Sequence, residues 1–176
     1  MNRQGFAVLG RLAIAFGATV LAFWLLIDPW RNVEASTIAL LFRNAGARGA
    51  SQAFGNQILV IPNHATPFLA TISPSCSALA ALLAFAAIAG FVVRGDRQRR
   101  LMAFLAAAAL ILVCNFIRIG LSVYVGIQTN AQGLTVFHDW IGTAFGILYV
   151  LGGFTLFLYV LLPSNRTLLK EYAHES

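Results

Sequence analysis

Two cysteines, one lysine and six acidic residues are all that this chain of 176 residues holds of the groups on which many enzymes rely. Each scarcity removes a class of chemistry. Cys76 and Cys114 stand far apart and make no C-x-x-C pair, which a thiol oxidoreductase would need. The lone lysine, Lys170, falls near the C-terminal end, on the side assigned below to the cytoplasm, which disfavours a serine/lysine signal peptidase. His64, Cys76, His138 and Asp139 show no zinc-like ligand spacing, so no metal and no other cofactor is expected. Charge is scarce too. Only 10% of residues are charged against 59% hydrophobic, with a mean hydropathy of +0.79, which rules out an ordinary soluble domain of this size.

What is there in quantity is apolar sequence. A bilayer core of roughly 30 Å takes about 17 to 25 apolar residues per helix, and four runs approach that length: residues 12–27, 78–93, 101–125 and 141–162. The net charge of +6 reports orientation rather than nucleic acid, because cytoplasmic loops collect arginine and lysine. Arg3 and Arg11, then Arg94, Arg97, Arg99 and Arg100, then Arg166 and Lys170 fall on one side of a four-span threading, against Arg31, Arg43 and Arg48 on the other. Both termini are therefore expected in the cytoplasm. The first run has the basic flank of a secretory signal, but Ile27-Asp28-Pro29-Trp30 offers no small-x-small cleavage site, and Trp24 and Trp30 suit an interfacial aromatic belt, so an uncleaved anchor is preferred.

The expected architecture is an all-α integral membrane protein, a single domain over residues 1–176, built as a bundle of four transmembrane helices. Residues 28–75 form its extracytoplasmic region. Within that region Val33, Ile38, Leu41, Phe42 and Ala45 recur at helical spacing, which predicts a short amphipathic helix on the membrane or packed on the bundle. Gly46, Gly49, Ser51 and Gly55 break it. Gln57 to Ile61 and Phe68 to Ile72 then flank Pro62-Asn63-His64-Ala65-Thr66-Pro67, a pattern that predicts a short β-hairpin with a proline-bracketed loop. Ser75 is placed to cap the helix that continues from Ala78. A short charged link, 94–100, makes spans two and three antiparallel neighbours, and a polar link over 128–137 precedes span four.

One ionisable residue lies inside an apolar run. Arg118 costs about 3 kcal/mol there even on a lenient insertion scale, and such a residue marks a functional site by default. Seventeen positions beyond Leu101, it is roughly 25 Å from the cytoplasmic end at 1.5 Å per residue, near the outer edge of the hydrocarbon core. Cys76 enters span two from that edge and His138 precedes span four there. A thiolate is the nucleophilic form of cysteine, and histidine can take its proton; the helix start at Cys76 favours the thiolate further. Arginine, never a base, can hold the oxyanion of an acyl intermediate. Acyl transfer from a peptide bond uses all three. Taken singly, each has a plainer account: inert packing for a cysteine, which is the reading for Cys114, snorkelling to headgroups for Arg118, and an interfacial histidine beside Trp140 for His138. Their common depth favours the chemical one. Asn115, one turn before Arg118, can hold the guanidinium or bond another helix. Asp139, about 100° round the helix from His138, is not an obvious triad acid and suits the helix N-terminus instead. His64 reads as a solvated loop residue.

Ser73-Pro74-Ser75-Cys76-Ser77-Ala78, Asn115-Phe116-Ile117-Arg118-Ile119 and His138-Asp139-Trp140-Ile141-Gly142 resemble, in order and membrane placement, the three signatures of the exosortase/archaeosortase family of polytopic membrane cysteine transpeptidases. The resemblance spans about Ser73 to Gly146. It implies Cys76 as nucleophile, Arg118 as transition-state stabiliser and His138 as acid/base; beside these, Asn115 and Asp139 are expected in supporting positions on the strength of their place in the sequence alone. Two departures stand out: Ala78 where many members have glycine, and no additional N-terminal spans. The implied substrates are exported proteins with a C-terminal tail of short motif, hydrophobic helix and basic cluster, cut at the motif and transferred to a surface glycan or lipid acceptor. The implied site is the bacterial cytoplasmic (inner) membrane, among its lipids, with the active site facing outward. Competing accounts are an aspartyl-type intramembrane peptidase using Asp28 and Asp139, and a non-catalytic assembly factor whose Arg118 pairs with an acidic residue of a partner.

Overall fold

The computed structural model describes residues 3–46, 48–50, 52–92 and 96–162. Arg94, Arg166 and Lys170, used above to orient the chain, lie outside them. The protein is mostly helical with a small sheet. Among the described residues three helices are long and apolar enough to cross a membrane, Leu12–Asn44, Arg97–Gln128 and Ala131–Leu161, and a shorter apolar helix covers Leu79–Gly90.

The first departure from expectation is α1, Arg3–Asn44, which is one unbroken helix with Pro29 inside it. At 1.5 Å per residue it extends roughly 60 Å, so the first expected span and the segment expected to follow it outside the cytoplasm are one rod. Proline removes one helix hydrogen bond and crowds the preceding turn; packing beyond it offsets that cost. Glu34, Ala35, Ile38 and Ala39 form one buried stripe, while Val33, Leu40 and Leu41 face outward. The segment is thus a helix packed on the bundle, and not a separate amphipathic helix. It stops at Gly46, whose φ of 74° suits a residue without Cβ and whose amide bonds to Arg43 O at 3.1 Å.

The expected hairpin forms and gains a third strand. β1 (Gln52–Phe54), β2 (Gln57–Val60) and β3 (Phe68–Thr71) make an antiparallel sheet in that order, with Ile58 opposite Ala70 and Val60 opposite Phe68. Ile58 and Val60 alternate inward, and with Ile38 of α1 and Ile119, Val123 and Ile127 of the second long helix they build a core that also holds Cys76.

The chain then makes a short turn, Pro74–Cys76, before α2 (Leu79–Ala87), which widens into a π-turn over Ile88–Val92. α3 (Arg97–Gln128) starts on Asp96, whose carboxylate accepts from Gln98 N. Only Thr129 and Asn130 separate it from α4 (Ala131–Val136), which Asn130 caps by accepting from Gly133 N at 3.0 Å. The helix passes through a π-turn, Phe137–Gly142, into α5 (Thr143–Leu161). The polar link anticipated over 128–137 is therefore mostly helix, because asparagine capping restarts the helix at once. A second core of Ala103, Ala107 and Ile111 from α3, Phe85 from α2 and Tyr149 and Phe157 from α5 lies below the first. Cys76 belongs to the upper core and Ala78 to the lower, so the turn between them sits where the two meet.

Candidate active site

Cys76, Arg118 and His138 come together. Cys76 Sγ lies 2.8 Å from His138 Nε2, and Arg118 Nη2 lies 3.2 Å from the same nitrogen. His138 Nδ1 is 3.1 Å from Asp139 Oδ1. With Nδ1–H donating to that carboxylate, Nε2 presents its lone pair to both the thiol and the guanidinium.

Cys76 is only 6% exposed and stands on the Pro74–Cys76 turn, three residues ahead of α2. Ser77, extended at φ −80° and ψ 141°, ends this turn and sets the start of α2 downstream of the thiol. The two caps expected here, Ser75 on the helix and the helix terminus on Cys76, are therefore not the contacts made. Instead Ser73 Oγ lies 2.9 Å from Cys76 Sγ and 2.8 Å from Ser75 Oγ, and Ser77 Oγ accepts from Leu79 N. Burial works to raise the thiol, but once its proton has passed to Nε2 the thiolate accepts from His138 and Ser73, and these bonds, with the charge of the imidazolium, outweigh burial and bring the value down to about 7. A large thiolate fraction at neutral pH follows.

Arg118 projects from α3 and is 6% exposed. Among the described residues it forms no ion pair, and its Nε is buried without a partner. Space for it comes from α5: a Cβ on Gly142 would stand 3.2 Å from Arg118 Nε, and one on Gly146, a turn further, 3.9 Å from Nη1. Glycine at 142 lets the guanidinium lie against the helix backbone beside His138.

Asn115 does not hold Arg118. It donates to Glu34 Oε1 and accepts from Tyr149 OH, both at 3.0 Å, bonding two other helices as the second of its expected options. Glu34, 1% exposed, collects three donors on that one oxygen: Trp30 Nε1, Asn115 Nδ2 and the amide of Ala78, each at 3.0 Å. Glu34 and Tyr149 were missed by reasoning from sequence. The available signal was that Glu34 is the only acidic residue between Asp28 and Asp96. Through it α1, α3 and α5 are tied to the backbone two residues past Cys76.

Asp28 pairs with Arg31 and Asp139 with His138, and no hydrogen bond or ion pair joins the two carboxylates among the described residues. Cys114 is a half-buried free thiol beside the lower core, and His64 is exposed in its loop. Among the described residues no three His, Cys, Asp or Glu side chains are placed to hold a metal ion.

Two clefts open on either side of His138. One of about 550 Å³ runs between α2 and α5, with Ala80 and Ala81 facing Gly146 and Val150, and Arg118 and His138 at its head. The other, of about 360 Å³, lies between β3 and α4 and reaches both Cys76 and His138.

Residues 3–159 match the profile of a family described as transmembrane exosortase. No curated protein and no solved structure matches the chain.

Proposed function

The chain belongs to the transmembrane exosortase family, and from that premise we propose that it is a cysteine transpeptidase in which Cys76 attacks, His138 carries the proton and Arg118 holds the developing oxyanion. The observation that carries the proposal is one imidazole nitrogen placed 2.8 Å from a thiol and 3.2 Å from a guanidinium.

In the first step His138 Nε2 takes the thiol proton and the thiolate attacks the substrate carbonyl carbon, forming a C–S bond. Nη2 of Arg118 can donate to Nε2 only while that nitrogen keeps its lone pair. Protonating Nε2 therefore frees the guanidinium, ahead of the attack, to turn toward the place where the oxyanion forms. Collapse of the tetrahedral species breaks the C–N bond, and the departing amine takes the proton from Nε2. The acyl group stays on Sγ as a thioester. A second nucleophile, water or an acceptor hydroxyl or amine, then gives its proton to Nε2 and displaces the thiolate. Asp139 keeps Nδ1 protonated throughout, so that Nε2 is always the exchanging nitrogen.

The substrates fitting this arrangement are exported proteins with a C-terminal motif, hydrophobic helix and basic tail. The apolar walls of the α2–α5 cleft, Ala78, Ala80 and Ala81 on one side and Gly146, Ile147 and Val150 on the other, accept such a helix from the lipid and deliver its motif to His138. The protein is a membrane protein. The four-span threading, the cytoplasmic termini and the outward-facing site in the inner membrane complete the proposal, as does transfer to a glycan or lipid acceptor.

The test is cleavage of a tailed, exported protein in cells carrying each variant. Cys76→Ala inserts in the membrane and stops processing, while Cys114→Ala and Asp28→Asn process normally. Undiminished processing by Cys76→Ala, or its loss in Asp28→Asn, overturns the assignment.

A further inference from the structure

Among the described residues β3 is an edge strand, paired with β2 on one side only. The bond from Ile72 N to Asn56 O at 2.9 Å continues that ladder and fixes its phase. In an antiparallel ladder bonded and non-bonded pairs alternate. Ile58–Ala70 and Val60–Phe68 are then bonded pairs, and the main-chain N–H and C=O of Leu69 and Thr71 point away from β2. Those are the two exposed residues of the strand. All of β3 lines the cleft that contains Cys76 and His138, with Leu134 and Thr135 of α4 as its far wall. An unpaired strand edge is a ready template for another strand, and such edges are normally blunted by charge or proline. Phe68, Leu69, Ala70 and Thr71 include neither.

We propose that this cleft takes an extended peptide as a fourth strand on β3, and that the peptide is the stretch of substrate just before the bond that Cys76 attacks. The inference rests on the transpeptidase reading given above. Two residues of β3, one strand period apart, offer donors and acceptors at the spacing of an extended main chain. No charged side chain of β3 faces the cleft to select a glycan phosphate or a lipid headgroup instead.

Chain direction follows from topology. β3 runs from Phe68 toward Ile72 and on to the turn that carries Cys76. A substrate with its reacting carbonyl at Sγ and its preceding residues laid back along β3 therefore runs parallel to that strand. Its remainder passes His138 into the α2–α5 cleft. This division suits transfer: the acyl half stays hydrogen-bonded to the sheet after the C–N bond breaks, while the tail leaves by the other cleft.

Leu69→Pro tests it. The lost N–H faces the free edge, so the sheet keeps its β2 pairing, a position where proline is tolerated. The probe is an exported reporter fused to a C-terminal tail of motif, hydrophobic helix and basic cluster taken from a protein of the same cell. Its processing by Leu69→Pro should fall at least about tenfold, as expected for a lost backbone bond and an added ring at the contact. Leu69→Ala, which keeps the main-chain N–H, should process the reporter faster than Leu69→Pro. The rate of Cys76 alkylation by iodoacetamide should match the parent in both. Parent-like processing by Leu69→Pro overturns the strand pairing while leaving the role of Cys76 intact. Processing by Cys76→Ala would instead overturn the underlying reading.

Should Leu69→Pro alter alkylation, a photoreactive benzophenone side chain at position 69, in the Cys76→Ala background, decides the matter. Crosslinks to reporter residues before the cut support the proposal. Crosslinks only after the cut, or none to the reporter, overturn it.

Discussion

Replacing Glu34 by alanine removes the acceptor shared by Trp30 Nε1, Asn115 Nδ2 and the Ala78 amide. The last two donors lie in buried bonds. A buried donor left without a partner costs about 1–3 kcal/mol, so the pair contributes roughly 2–6 kcal/mol, a large part of the 5–15 kcal/mol that holds a typical domain together. At about 2–4 °C per kcal/mol for a chain of this length, Glu34→Ala should lower the unfolding midpoint by roughly 5–20 °C. Glutamine retains a carbonyl oxygen that can occupy the Oε1 position, so Glu34→Gln should stay within about 4 °C of the parent. The assay is the surviving monodisperse fraction after heating in detergent, with the exposed-site variant Val33→Ala as reference on the same helix. Processing should follow the same order, because the Ala78 amide lies two residues from Cys76. An alanine variant as stable as Val33→Ala would refute the reasoning. A glutamine variant as damaged as alanine would refute the claim that shared acceptance, rather than negative charge, is what matters.

Three further outcomes are expected. Iodoacetamide should alkylate Cys76 with a midpoint at about pH 7, the thiolate fraction rising as pH passes that value; in His138→Ala the midpoint should move upward, since burial then acts against a weaker set of hydrogen bonds, and an unmoved midpoint contradicts the pairing. Gly142→Ala places a methyl group 3.2 Å from Arg118 Nε; a displacement of a few tenths of an ångström at an oxyanion donor should cut the turnover rate about tenfold with little change in thiol alkylation, and unchanged turnover refutes the placement. Asp139→Asn should slow processing only about three- to tenfold, because the Asp139 side chain is 62% exposed and its contact with His138 is screened; a loss above a hundredfold would show a stronger dependence on the acid than the geometry gives.

The meeting of Cys76, Arg118 and His138 was legible because alternating topology converts sequence distance into depth, and one arginine in an apolar run demands a partner. The hairpin was legible from β-prone runs between prolines. The continuity of α1 was hidden, since Asp28-Pro29 carries the local signature of a helix end and only the buried stripe from Glu34 to Ala39 holds the rod together past it. β1 was hidden because Gln52-Ala53-Phe54 is too short and polar to show alternation, and it is held by pairing with β2. The contact of His138 with Asp139 escaped the 100° rule because adjacent side chains on one turn can still meet at their tips, here within a π-turn whose wider spiral departs from α-helical spacing. Glu34 and Tyr149 act through Asn115, a chain of contacts between helices that no local spacing encodes.

The central claim is that the acyl group of the substrate passes through the sulfur of Cys76. The intact mass of the protein, isolated from cells that also make a tailed exported protein and analysed before and after hydroxylamine, tests it directly. The account predicts an added mass on the peptide containing Cys76 that equals the substrate without its tail and is removed by hydroxylamine, and no such mass in Cys76→Ala. Processing that continues in Cys76→Ala, or a hydroxylamine-sensitive adduct on Cys114, would contradict it.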